Sequence, residues 1–173
     1  MPEMIRYDRQ AALKYAHRWA YDRNPAYYDF SQLGGDCTNF ASQCLYAGIG
    51  VMNFTPTFGW YYIDANRKAP AWTGVPYFFR FMTRKGINPG PFGRLADITQ
   101  VEAGDFVQLL FADSNEFGHT PIIVEAGQPA SLDNILVAAH SQDADWRPLS
   151  TYQFQELRFV HILGAWPPLT ANR

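Results

Sequence analysis

Residues 34–48 read GGDCTNFASQCLYAG, and this stretch carries the clearest local signal in the chain. After the glycine pair, apolar residues recur at the three- and four-residue spacing of an amphipathic helix, namely Phe40, Ala41, Cys44, Leu45 and Ala47. We expect this helix to begin at Asp36, a residue type favoured at N-caps, and to end at Gly48. Cys37 then lies in the first turn, where unpaired backbone N–H groups and the helix dipole favour a thiolate.

Two further helices are predicted on either side of this stretch. Before it, residues 7–21 place apolar side chains at helical spacing, and an Asn-Pro pair ends the pattern. After it, residues 50–74 are rich in aromatic residues and turn formers without a sustained period, so we expect an irregular loop there. Pro76 then opens a short helix that continues to Met82.

The second half of the chain changes to strand-like segments. Four apolar runs are separated by turn-rich loops, and they read FVQLLFA (106–112), HTPIIVEAG (119–127), ILVAAHSQ (135–142) and LRFVHILGAW (157–166). Short loops between consecutive strands are typical of hairpins, so the strands should be antiparallel. The sequence therefore predicts an α+β fold in which N-terminal helices pack on a C-terminal antiparallel sheet, within a single domain over residues 1–173.

Composition limits the classes of partner. The chain is 47% apolar and 17% charged, with a formal net charge of -2 and no basic run that could follow a phosphate backbone. No segment has the roughly 18 consecutive apolar residues that a membrane span needs, and the first residues lack the apolar stretch of a secretory leader. We expect a soluble protein without nucleic-acid partners or membrane insertion, cytoplasmic by default and secreted or wall-associated if a leader has been removed. Oligomeric state has no signature here.

Cys37 and His119 are the candidate nucleophile and general base. The backbone N–H groups at the start of the helix could also receive an oxyanion. Asp36 opposes activation, because a neighbouring negative charge raises the pKa of a thiol, so a base is needed. His119 directly follows Gly118 and begins a predicted strand, from whose end its ring could project toward Cys37.

A catalytic histidine usually has a partner that fixes its tautomer. His140 lies late in the next predicted strand, and antiparallel neighbours bring the end of one strand beside the start of the other. We therefore expect His140 to orient His119. Asp143, three residues further on, is a rival for this role or a turn former.

Metals, cofactors and a disulfide are not expected. Cys37 and Cys44 lie seven residues apart in one helix, which separates their backbones by about 10 Å at 1.5 Å per residue, too far for a disulfide. Cys44 falls on the apolar stripe and is expected in the core. A zinc site from these cysteines with His119 and His140 lacks a suitably oriented close-spaced ligand pair.

These motifs, in this order, resemble a family of amidase domains related to the NlpC-type and CHAP cell-wall hydrolases of the papain-like superfamily. The segments that carry the resemblance are GGDCTNFASQCLYAG, HTPIIVE and AAHSQD, supported by YDRQAALKYA, RNPAYYDF, GWYY and PAWTG. The resemblance implies a permuted papain-like core and hydrolysis of an amide, often in a peptide or peptidoglycan fragment. It matches the catalytic residues to Cys37, His119 and His140. In NlpC-type relatives the Asp before the Cys helps to hold a substrate amine, which would be Asp36 here.

The hypothesis is a cysteine amidase or peptidase, with two alternatives. The same Cys-His pair could serve an acyltransferase that uses an amine acceptor, or the fold could be a binding module that has lost its chemistry. Aromatic side chains of the 50–74 loop could wall a cleft, namely Trp60, Tyr61, Tyr62 and Trp72, and Trp72 is the candidate substrate contact among them. Packing in the core is the more common role of such residues.

Overall fold

The computed structural model describes residues 1–169. Four helices lie in the first half of the chain, at α1 (Arg9–Trp19), α2 (Cys37–Ile49), α3 (Pro70–Thr73) and α4 (Val75–Met82). The three predicted helices are confirmed as α1, α2 and α4. The predicted irregular loop also holds α3 and a small hairpin, β1 (Tyr62–Asp64) with β2 (Arg67–Lys68).

The second half forms a six-stranded antiparallel sheet in the order β3-β8-β4-β5-β6-β7. Its strands are β3 (Gly90–Ala96), β4 (Phe106–Phe111), β5 (Ile122–Glu125), β6 (Leu136–Ala139), β7 (Ala144–Pro148) and β8 (Phe154–Trp166). Four of these are the predicted strands, whereas β3 and β7 were not predicted. The α+β class and the antiparallel sheet are thus confirmed.

The two ends of α2 differ from the prediction in detail. Asp36 does occupy the N-cap position, but its side chain makes no capping hydrogen bond. The C-cap is Gly50, in the left-handed conformation at φ 71°, and its N–H donates to the carbonyl of Tyr46. Gly48, the predicted cap, is still helical and lies so close to Asp8 that an added Cβ would be 2.5 Å from the Asp8 carbonyl oxygen. Absence of a side chain at residue 48 therefore serves helix packing.

Each face of the sheet has its own apolar core. The helical layer packs on one face through a cluster that includes Phe40, Leu45 and Phe106. Val107 and Leu109 belong to a second cluster on the opposite face. This division follows from the strand period of two, which turns consecutive side chains of β4 to opposite faces.

A buried carboxylate joins the helical layer to the sheet. Asp105 is fully buried, and its oxygens accept hydrogen bonds from Arg9 Nη1 (2.9 Å), the Glu102 N–H (2.9 Å) and the Ile162 N–H (3.0 Å). His161 Nδ1 lies 2.8 Å from the same carboxylate. These contacts give Asp105 and His161 structural roles, and they fix α1 against β4 and β8.

Candidate active site

Cys37 reaches the surface at the start of α2. Gly34 and Gly35 precede it with φ of 88° and 103°, a left-handed conformation that side-chain-bearing residues rarely adopt. The glycine pair lets the chain turn sharply into the helix, so the first helical residue is half-buried rather than enclosed. The thiol of Cys44, by contrast, is fully buried in the core, as predicted.

Cys37 and His119 line one cleft of about 790 Å³, which we call the Cys37 cleft. Its wall is formed by the glycine pair before α2, by the β4–β5 loop, by residues 141–142 after β6, and by Arg147 and residues 151–153. The Sγ atom of Cys37 lies 3.9 Å from the carbonyl oxygen of Gly118, the residue before His119. Residues 82 positions apart in the sequence are therefore neighbours in this cleft.

A buried chain of hydrogen bonds fixes the start of α2 against the segment that follows His119. Gln108 Nε2 donates to Thr120 Oγ1 (3.2 Å), and Thr120 Oγ1 lies 3.0 Å from Thr38 Oγ1. Thr38 Oγ1 in turn lies 3.6 Å from Cys37 Sγ. Because Gln108 donates to the Thr120 hydroxyl, that hydroxyl is free to donate to Thr38 Oγ1. The Thr38 hydroxyl can then donate to the sulfur of Cys37. These three polar residues were not predicted from the sequence.

His119 is enclosed by aromatic rings. It is 6% exposed, and the ring centroids of Phe111 and Tyr152 lie 5.7 and 5.5 Å from its own. Burial, and secondarily the positive charge of Arg147, lower the pKa of His119 to about 4. The imidazole is therefore neutral near pH 7, the form that can accept a proton.

The pKa of Cys37 is raised, chiefly because burial disfavours the thiolate. The hydrogen bonds of Thr38 and of backbone N–H groups act in the opposite direction, and the charge of Asp36 adds to the increase. In the free protein, burial thus raises the pKa of Cys37 by more than the helix start lowers it. The free protein therefore holds a neutral thiol at Cys37 and a neutral imidazole at His119 near pH 7.

His140 lies behind Cys37 rather than beside His119. Its Nδ1 is 2.7 Å from Asp36 Oδ2, its Nε2 is 2.8 Å from the carbonyl oxygen of Trp19, and its ring stacks on Phe40 at 4.0 Å. His140 and His119 share no hydrogen bond. Both ring nitrogens of His140 are already engaged, so the structure does not bring it to His119 as an orienting partner.

The structure places neither expected substrate-binding side chain on the cleft. Asp36 is 1% exposed, and besides His140 it accepts hydrogen bonds from the Phe30 N–H and from Asn39 Nδ2, both at 2.9 Å. Trp72 is 0% exposed and donates from Nε1 to Asn39 Oδ1 at 2.9 Å. Both are held by internal partners, and neither lines the Cys37 cleft.

Asp143, the rival orienter, forms an ion pair with Arg23. The guanidinium donates from both terminal nitrogens to the two carboxylate oxygens, each at 3.0 Å. The same Arg23 Nη1 lies 3.1 Å from His140 Nε2, and its Nε lies 3.8 Å from Asp36 Oδ2. Arg23 thus completes a polar network behind Cys37 that the sequence analysis did not find.

A family model described as "Putative amidase domain" matches residues 6–163. The chain belongs to this amidase domain family. It is also 31% identical over 122 residues to the uncharacterized protein YhbB of Bacillus subtilis strain 168, an alignment that covers 69% of this chain and 38% of YhbB. The amidase domain thus spans less than half the length of this relative. No solved structure matches significantly, so the papain-like part of the fold prediction stays a prediction.

Within residues 1–169, no group of three or more His, Cys, Asp or Glu side chains of the amidase domain is arranged to hold a metal ion. No helix in the same range is long and apolar enough to cross a bilayer.

Proposed function

We propose that this amidase domain is a cysteine hydrolase that cleaves an amide bond, with Cys37 as nucleophile and His119 as general base. The observation that carries the proposal is the shared cleft, in which Cys37 Sγ lies 3.9 Å from the carbonyl of the residue preceding His119. Membership of an amidase family gives the bond class. A papain-like fold, which the sequence resemblance implies, is part of the same proposal.

The reaction would use these groups in two steps. His119 takes the thiol proton as the sulfur of Cys37 attacks the amide carbonyl carbon, and N–H groups at the start of α2 stabilise the oxyanion. His119 then gives the proton to the leaving amine, and a thioester remains on Cys37. In the second step His119 takes a proton from water as the water oxygen attacks the thioester carbonyl carbon. The C–S bond then breaks, His119 returns the proton to the sulfur, and the acid leaves the regenerated Cys37 thiol.

His140 has a supporting place in this scheme. Its hydrogen bond to Asp36 and its contact with Trp19 join the end of α1 to the residue directly before Cys37. The Asp36 N–H also donates to Ser141 Oγ at 3.2 Å, which adds a second tie between the β6 end and the start of α2. We therefore assign His140 and Asp36 as positioning residues, which hold Cys37 in the cleft without touching substrate.

The substrate class follows from the resemblance to cell-wall hydrolases. We propose a peptide or a peptidoglycan fragment, and the test is incubation with muropeptides and simple peptide amides, followed by mass analysis of the products. Wild-type protein and Cys44→Ala should both release an amine and an acid, because Cys44 is buried in the core. Cys37→Ala should release neither while keeping its thermal transition. Turnover by Cys37→Ala would refute the assignment.

The same assay distinguishes the hydrolase from the two alternatives. An acyltransferase would form a new amide when a primary amine is supplied in excess. A module without chemistry would give no product with any of these substrates, and its Cys37 would resist alkylation.

A further inference from the structure

Arg147 presents a positive charge to the Cys37 cleft without a carboxylate partner. It lies on β7, is half-buried, and forms no ion pair with any Asp or Glu among residues 1–169. Asp113, the acidic residue of the cleft wall, lies exposed in the β4–β5 loop. A partly buried guanidinium without a counter-ion is electrostatically complementary to an anion.

The guanidinium is held in a fixed position. Its Nε donates to Thr151 Oγ1 at 2.7 Å, and its Nη2 donates to the Thr151 carbonyl at 3.1 Å. Its central carbon lies 3.6 Å from the ring centroid of Tyr152, a stacked arrangement. Two of the five N–H groups are thus committed to protein acceptors, and three remain, two of them on Nη1. This rigidity reduces the entropy lost when a ligand binds.

Arg147 also lies near the reacting groups. The Tyr152 ring that it stacks on is 5.5 Å from the ring of His119, and the charge of Arg147 contributes to the lowered pKa of His119. An anion bound to this guanidinium would therefore lie in the same cleft as the amide that Cys37 attacks.

We propose that Arg147 binds a carboxylate of the substrate, so that this enzyme prefers amides that carry a free carboxylate close to the scissile bond. Guanidinium groups match carboxylates in charge and planar geometry, and two parallel N–H donors can engage both oxygens. The inference rests on the proposed cysteine hydrolase function, because it uses the same cleft and the same nucleophile.

The test compares alkylation of Cys37 by iodoacetate and by iodoacetamide. In both reactions the thiolate sulfur forms a bond to the methylene carbon and iodide leaves, but only iodoacetate carries a carboxylate. The ratio of the two rate constants cancels any change in the thiolate fraction, including one caused by a shift in the pKa of His119. The ratio should fall about fivefold in Arg147→Gln and by less than twofold in Arg147→Lys, which keeps the charge.

Arg80→Gln is the matched control. Arg80 is exposed on α4 and lines a different cavity. Its replacement by Gln changes the net charge by the same amount as Arg147→Gln, so the ratio of rate constants should stay within twofold of wild type. Thermal transitions of all variants check folding, and mass analysis confirms that Cys37 is the labelled residue. Peptide amides that differ only in a carboxylate or a carboxamide should show a matching preference in kcat/KM, which Arg147→Gln loses.

The outcomes separate this inference from the function on which it rests. If Cys37 reacts with iodoacetamide but the ratio is the same in wild type and Arg147→Gln, the carboxylate site is refuted and the hydrolase proposal stands. If Cys37 reacts with neither reagent, the nucleophile assignment fails and the substrate inference fails with it.

Discussion

Replacing His140 by alanine distinguishes a positioning role from a direct role in proton transfer. The pair that it forms with Asp36 is almost fully enclosed, with side-chain exposures of 2% and 1% and a separation of 2.7 Å. Removing one member of such a pair leaves the other buried without its partner and costs about 3–5 kcal/mol of unfolding free energy. For a chain of this size, each kcal/mol lowers Tm by about 2–4 °C, so a decrease of roughly 6–20 °C is expected.

Urea unfolding, monitored by tryptophan fluorescence, measures the loss of unfolding free energy. A double-mutant cycle shows how much of that loss comes from the contact between His140 and Asp36. Asp36→Asn removes the charge but keeps an acceptor for the Phe30 N–H. If the pair is coupled, the double variant loses at least about 1.5 kcal/mol less than the sum of the single variants. Activity per folded molecule should fall by a much smaller factor than the folding equilibrium constant, because neither side chain lines the Cys37 cleft.

His17 offers a matched control. Its Nδ1 lies 2.8 Å from Asp145 and its ring stacks on Trp146 at 4.3 Å. Like His140 it therefore contacts one carboxylate and one aromatic ring, but its side chain is 29% exposed. His17→Ala should therefore cost about 1 kcal/mol or less. The reasoning is refuted if His140→Ala behaves like His17→Ala in unfolding yet lowers kcat more than a hundredfold. That result would return His140 to the role of orienting His119.

Two further predictions concern the base and the packing of α2. Because burial and Arg147 lower the pKa of His119 to about 4, the acid limb of kcat/KM should lie near pH 4, and a limb near 6.5 would contradict this environment. Below pH 6.5 the unfolded chain binds a proton at residue 119 that the folded chain does not, so wild type should lose stability relative to His119→Gln as pH falls to 4, by up to about 3 kcal/mol. Gly48→Ala should destabilise by about 2–3 kcal/mol in urea unfolding despite the helix preference of alanine, since its Cβ would lie 2.5 Å from the Asp8 carbonyl oxygen. Gly50→Ala, at φ 71° with no atom within 4 Å of the new Cβ, should cost only about 1 kcal/mol, and equal losses in the two variants would contradict the packing argument.

The strands that were not predicted, β3 and β7, lack a strand-like pattern of their own and are extended because they pair with a neighbouring strand. The β3 segment reads GPFGRLA, where two glycines and a proline hide any alternation, and it becomes a strand by pairing along seven residues with β8. The β7 segment reads ADWRP, in which two charged residues interrupt any apolar run, and it is an edge strand that pairs only with β6. Local pattern is sufficient where a side-chain stripe is buried, as in α2 and β4, and fails where a partner strand determines the conformation.

The polar side chains around Cys37 were missed for a related reason. Thr38 and Thr120 directly follow the two predicted reacting residues, and nothing in a single sequence distinguishes them from solvent-exposed threonines. They meet only because the β4–β5 hairpin places residue 120 beside the start of α2. Arg23 was likewise missed, because its ion-pair partner Asp143 lies 120 residues away in the sequence and its contact with Asp36 spans the loop between α1 and α2.

The position of His140 follows from strand parity, which the sequence argument did not consider. In the observed register Ile122 pairs with Ala138, so continuing the antiparallel ladder brings residue 120 opposite residue 140 and residue 119 opposite residue 141. Side chains one position apart point to opposite faces. Thr120 and His140 therefore face the helical layer, where they contact Thr38 and Phe40, whereas His119 turns to the rings of the other cluster. A shift of one residue in this register would bring residue 119 opposite residue 140 and turn both histidines to one face, so the β5–β6 pairing determines that the two histidines have separate environments.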